Sequence, residues 1–206
     1  MAMISGLSDS GIALVILMLL LSMTIHEAMH AYVGYALGDP TAREEGRLTL
    51  NPLRHIDPFM TVILPIVTFI LFRVPFLAAK PVPFNPNRVK YREWGGAIIA
   101  LAGPLSNFAI AFILALILKY VTVDNFIGQV LTVAVELNVW LFIFNLIPIP
   151  PLDGSRVLYA FAPEPLQEFM TRIEPFGLFI IFGLIIFEGN GFLVNIYNLV
   201  IRILPQ

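Results

Sequence analysis

The 206-residue chain has no cysteine, so a disulfide framework and a thiolate metal site are both excluded. Any metal it holds must be bound by His, Asp or Glu, and it has only three histidines. Charge is also scarce. Charged residues make up 13% of the chain, hydrophobic residues 58%, and the mean hydropathy is +0.86. A soluble domain needs more charge than this to cover its surface. With a net charge of -2, the chain also lacks the basic surface of a nucleic-acid-binding protein. Met1–Ser10 carries no Lys or Arg, so the basic leader of a cleaved signal peptide is missing and the first apolar segment is expected to be retained. No internal repeat is visible. These absences leave an all-α polytopic membrane protein, read as a single domain over 1–206 with a core at 11–162 and C-terminal helices at 163–206.

Three apolar stretches are long enough to cross a hydrocarbon core of about 30 Å. They are Gly11–Leu37, Trp94–Leu118 and Phe126–Ile147. Gly38-Asp39-Pro40 stops the first. Pro148-Ile149-Pro150-Pro151 breaks the chain after the third. Between the first two spans, Leu48-Thr49-Leu50 reads as a possible short strand, and Lys80–Phe84, in a proline-rich stretch, as extended chain. Gly154–Phe161 and Pro165–Ile173 read as short interfacial helices. Phe176–Phe187 and Phe192–Leu204 are apolar runs too short for comfortable spans. The distribution of Lys and Arg sets the expected topology. If the apolar segment at 58–79 crosses the membrane, the count is four against six. If it dips in and returns, Arg43, Arg47, Arg54, Lys80, Arg88, Lys90, Arg92, Arg156 and Arg172 share one face, and Lys119 alone marks the other. The expectation is therefore a re-entrant element at 58–79, with the short β element beside it on the cytoplasmic side and the N-terminus outside. Arg73, near the tip of that segment, is its weak point.

The first span contains His26-Glu27-Ala28-Met29-His30. Histidines four apart lie one turn above each other on one helix face, the spacing a zinc ion needs, with the intervening Glu beside the metal. Ionisable groups inside a hydrocarbon-spanning helix are costly and are usually functional. Two histidines hold zinc incompletely, and Asp153 is the best third ligand. It follows a segment whose prolines free carbonyls that only a cavity or protein can satisfy at membrane depth. On this reading His26, His30 and Asp153 bind one Zn2+ per chain, and Glu27 is a general base. Asp153 could instead cap the helix that starts near Gly154, and Asn145 could be an interhelical hydrogen-bonding residue. A transporter with a His/Glu/Asp pathway is the rival reading, but only Glu136 lies clear of the cluster and the inverted repeat of many transporters is missing.

Three separated motifs carry a family resemblance. They are His26–His30, the Asn145–Gly154 segment with its Asn-x-x-Pro…Asp-Gly pattern, and Ala102-Gly103-Pro104-Leu105-Ser106-Asn107. The chain resembles the site-2 protease family of intramembrane zinc metalloproteases, peptidase family M50. Gly46–Pro52 and Lys80-Pro81-Val82-Pro83 resemble its compact prokaryotic branch. The likeness covers the chain through about residue 160. It implies a transmembrane-helix protein as substrate, a multi-pass position in the cell membrane of a prokaryote and an active site toward the cytoplasm. It also implies that Asn145 binds substrate backbone or an oxyanion. The PDZ or CBS modules of some relatives are expected to be absent. Leu48–Asn51 and Lys80–Phe84 could receive an unwound substrate by edge pairing or form a plain hairpin plug. No oligomeric state is implied.

Overall fold

The computed structural model describes residues 8–63, 66–68, 70, 80–187 and 191–205. Three of its helices are long and apolar enough to span a membrane: α1 (Asp9–Ala36), α3 (Arg92–Tyr120) and α4 (Asn125–Asn145). A one-turn helix, α2 (Thr41–Glu44), follows α1. Four shorter helices follow α4: α5 (Asp153–Phe161), α6 (Glu164–Ile173), α7 (Gly177–Phe187) and α8 (Phe192–Ile203). The boundaries expected from the sequence are met to within about two residues. Local chemistry sets them. The Ser8 hydroxyl accepts from the Gly11 N–H at the start of α1, and the Asp124 carboxylate accepts from the Ile127 N–H at the start of α4. Gly38, at φ +99°, supplies the left-handed turn just beyond the end of α1.

The bundle closes through small residues. Ala28 and Ala31 on α1, and Ala97, Ala100, Gly103, Ala111 and Ala115 on α3, are all buried. Without a hydrophobic driving force between helices in lipid, small side chains let backbones approach and gain van der Waals contact. Large apolar residues face outward instead, Ile16, Leu17 and Ile113 among them, each more than half exposed. Farther along, α8 lays Leu193, Val200 and Leu204 against Val135, Val139 and Ile143 of α4.

The link between α1 and α3 departs from expectation in one respect. Among the described residues there is no strand, so the expected short β element is not seen. Leu48–Leu50 is a pair of bends, and its backbone is engaged locally. The Thr49 carbonyl faces the His55 Nε2 at 2.8 Å, and the Thr49 hydroxyl accepts from the Asn51 N–H. Lys80–Phe84 forms neither strand nor helix, and side chains take two of its backbone groups. The Lys80 carbonyl accepts from Arg47, and the Val82 N–H donates to Glu27. Pro58–Ile63 is a π-helical turn. Most of the expected re-entrant tip, Arg73 included, lies outside the described residues.

Asp39 fixes the end of α1 to this link. It is 2% exposed and accepts from the Thr41 hydroxyl and N–H and from the Asn85 N–H. Burial alone would push its carboxyl up. The Thr41 hydroxyl, the Asn85 and Thr41 N–H groups and the Arg88 charge together hold it below the ordinary carboxylate range.

Candidate metal centre

His26 lies ten residues before the end of α1, or about 15 Å at 1.5 Å per residue. Its Nε2 is 3.0 Å from the His30 Nε2, as the one-turn spacing requires. Asp153 opens α5 and brings its Oδ2 to 3.1 Å from the His26 Nε2 and 3.3 Å from the His30 Nε2. Asp153 does not cap that helix. Leu152 holds the capping position, and the Asp153 carboxylate turns toward the histidines instead. Gly154 makes this possible, because a Cβ there would stand 2.2 Å from the Leu146 carbonyl oxygen. The absence of a side chain lets α5 start hard against the end of α4.

Hydrogen bonds decide which way the imidazoles present their lone pairs. The His30 Nδ1 is 2.7 Å from the Ile99 carbonyl oxygen, an acceptor only, so Nδ1 carries the proton. The His26 Nδ1 is 2.6 Å from the Asn107 Oδ1 and is likewise a donor. In neutral rings this leaves both Nε2 atoms with lone pairs, the form that binds a metal. The third atom, Asp153 Oδ2, is buried and has no hydrogen-bond partner. Three lone pairs converging within 3.3 Å repel one another unless a cation lies among them. Tetrahedral zinc with bonds of 2.0–2.1 Å needs ligand atoms about 3.3 Å apart, which these distances meet. Gly103 leaves the space. A Cβ on it would lie 2.5 Å from the His26 Nε2 and 2.4 Å from the His30 Nε2. The donor set and the room both fit zinc.

The remaining predicted residues are placed differently. Glu27 is half-buried, and its Oε2 accepts from the Val82 N–H at 2.9 Å, so the Lys80–Phe84 segment lies beside it. Asn145 closes α4, and its amide donates to the Leu141 carbonyl. Among the described residues, no hydrogen bond joins Asn145 to the histidines. His55 makes the polar contact to Thr49 already noted and is not among the three converging ligand residues.

The chain is similar to a Bacillus subtilis protein named "Putative zinc metalloprotease YwhC", 38% identical over 176 residues, which are 81% of this chain and 77% of that one. The chain belongs to peptidase family M50. The description of that family also matches residues 122–187 directly. Rip2 of Mycolicibacterium smegmatis, likewise named a zinc metalloprotease, is 28% identical over 169 residues, 81% of this chain and 64% of Rip2. A Methanocaldococcus jannaschii relative is 31% identical over 133 residues, 65% of this chain and 62% of that protein. The chain thus spans less than two thirds of the length of these last two. No solved structure matches it. As an M50 member with three membrane-length helices, the protein is a zinc metalloprotease of the membrane.

Sequence reasoning missed the part that Ser22 and Asn138 play behind this M50 site. Asn107, Asn138 and Ser22 are 0%, 1% and 4% exposed and hydrogen-bond to one another behind His26. A buried amide in the middle of an apolar helix was the available signal. The structure commits both Asn107 and Asn138 to the histidine side.

Proposed function

We propose that this protein cleaves peptide bonds within or near transmembrane helices of membrane-anchored substrates, using one zinc per chain held by His26, His30 and Asp153. The supporting observation is that two histidine nitrogens on a membrane-length helix, flanking Glu27 in sequence, and one Asp153 oxygen lie within 3.3 Å of one another. When bound, zinc supplies Lewis acidity toward a scissile carbonyl and toward water. Glu27 is the proton carrier. With Oε2 engaged by the Val82 N–H, Oε1 is left to take a proton from the attacking water and pass it to the leaving amine. Asn145 binds the substrate backbone. Its Nδ2 gives one hydrogen to Leu141, which leaves the second N–H to donate to an oxyanion and Oδ1 to accept a substrate N–H.

A transmembrane substrate has its backbone locked in intrahelical hydrogen bonds and must unwind before it reaches this point. The Lys80–Phe84 segment beside Glu27 is where the unwound strand lies. The lysine and arginine count puts this face toward the cytoplasm, and bacterial and archaeal relatives favour a prokaryotic cell membrane. The biological setting suggested by the resemblance is regulated intramembrane proteolysis, either trimming a membrane-anchored regulator or clearing membrane stubs.

Purified protein in detergent should cleave a single-span test substrate, lose that activity with a zinc chelator and regain it on addition of zinc. Cleavage that persists in fully chelated protein would overturn the reading. The cysteine-free chain also permits clean topology mapping. In intact cells Val121→Cys should react with an impermeant thiol reagent, and Asn87→Cys should react only after permeabilisation. The reverse pattern would place the site on the outer face.

A further inference from the structure

We propose that Asn138 on α4 is a positioning residue for the metal site, acting through Asn107 on α3 to fix the orientation and proton of His26 on α1. The proposal rests on the reading of His26 as a zinc ligand.

The direction of every hydrogen bond in this chain is forced from its far end. The Asn138 side chain lies 2.9 Å from the Ala134 carbonyl oxygen, which can only accept. The atom facing Ala134 must therefore be Nδ2, which also donates to the Ser22 hydroxyl at 3.0 Å. Asn138 is left with Oδ1 toward Asn107, 3.1 Å away. Asn107 must answer with its own Nδ2, which also points at the Ser22 carbonyl at 3.5 Å. That leaves the Asn107 Oδ1 for His26, 2.6 Å from Nδ1. An acceptor at that position requires a proton on Nδ1, and in the neutral, metal-binding ring that leaves the lone pair on Nε2, the atom beside Asp153.

A backbone carbonyl on the third membrane helix thus sets the tautomer of a histidine on the first. His30 is set in one step, directly by the Ile99 carbonyl. The two histidines are accordingly supported unequally. The His30 support is backbone and cannot be mutated away. The His26 support runs through two side chains, Asn107 and Asn138, both essentially unexposed. Partners of this kind orient the ring and raise its basicity, and losing one typically weakens metal binding about 10–100-fold. An ordinary interhelical hydrogen bond would have no such effect on the metal.

The test is a double-mutant cycle read as zinc affinity, by competition with a chelator of known affinity, together with the visible spectrum of the Co2+-substituted protein. Asn107→Leu is expected to weaken zinc binding by roughly 10–100-fold and Asn138→Leu by roughly tenfold. The double variant should bind no more weakly than Asn107→Leu alone, because the second amide acts only through the first. The Co2+ bands should shift in both single variants. If Asn107→Leu or Asn138→Leu does not fold, Asn138→Asp keeps an acceptor for the Asn107 Nδ2–H in the same volume, and the Ser22 hydroxyl can turn to donate to it. It should hold zinc within about threefold of wild type, because the Asn107 Oδ1 still faces the His26 Nδ1–H.

Wild-type zinc affinity and an unchanged Co2+ spectrum in Asn138→Leu, with only a lower melting temperature, would reduce Asn138 to packing and overturn the proposal. Fully additive losses in the double variant would do the same, as would a tenfold or greater loss in Asn138→Asp. Wild-type protein that binds no zinc at all would instead sink the reading of the site as a metal centre.

Discussion

Gly103→Ala is expected to leave the bundle folded and remove its zinc. The Cβ it adds would stand within 2.6 Å of the His30 Nε2, the His26 Nε2 and the His30 Cε1, in the space the three lone pairs surround. No rotamer relieves this, because a Cβ has none. The histidines cannot back away either, since their Nδ1 atoms are tied to Asn107 and Ile99 behind them. Zinc content should fall from about one per chain toward zero, and cleavage should fall with it. The effect on the helix itself runs the other way. Alanine is favoured over glycine in a helix interior by roughly 0.5–1 kcal/mol, so a broken α3 is not the expected cause. Gly96→Ala serves as the control on the same helix. Its added Cβ would meet only the Phe84 ring, at an ordinary 3.9 Å. Metal analysis and thermal melting of the two variants side by side check this. Full zinc occupancy in Gly103→Ala would mean the metal, if any, sits elsewhere.

The contrast between Gly103 and the spans shows what a single sequence can reveal about this molecule. The spans were legible because lipid demands a continuous apolar run about 20 residues long, and Gly38, Pro148 and Asp124 mark where the runs stop or start. The meeting of His26 with His30 was legible because helical geometry guarantees it. The approach of Asp153 is a different matter. It depends on α5 starting against the end of α4, which Gly154 permits, and a residue pattern can suggest that without fixing the distance. The Asn107–Asn138 link joins residues 31 apart on antiparallel helices, and His26 joins Asn107 across 81. Neither separation leaves a local periodicity. The β element failed for a related reason. Leu48–Leu50 and Lys80–Phe84 have the composition of strands, but Arg47, His55 and Glu27 engage their backbone groups before any ladder forms. Side-chain competition for backbone hydrogen bonds is a tertiary effect, and strand propensity does not contain it.

Glu27→Gln separates chemistry from structure at this site, and it should abolish proteolysis while zinc stays bound. The Glu27 carboxylate is not among the three atoms that converge on the metal position, so the donor set is untouched. The contact with the Lys80–Phe84 segment also survives, because the amide oxygen of glutamine can accept the Val82 N–H as Oε2 does now. What disappears is the ability to take a proton and give it back, since an amide has no useful basicity near neutral pH. General-base catalysis contributes typically 10²–10⁴-fold, and cleavage should fall by at least that range. Zinc measured on the same sample should remain at the wild-type level. Inactive protein that has also lost zinc would say only that the site had collapsed. Active, zinc-loaded Glu27→Gln would require another base, and no other carboxylate in the described residues stands next to the histidines except Asp153, whose oxygen already faces both of them. The variant therefore tests whether Glu27 alone moves the proton, in a setting where its neighbours are held by bonds the substitution does not break.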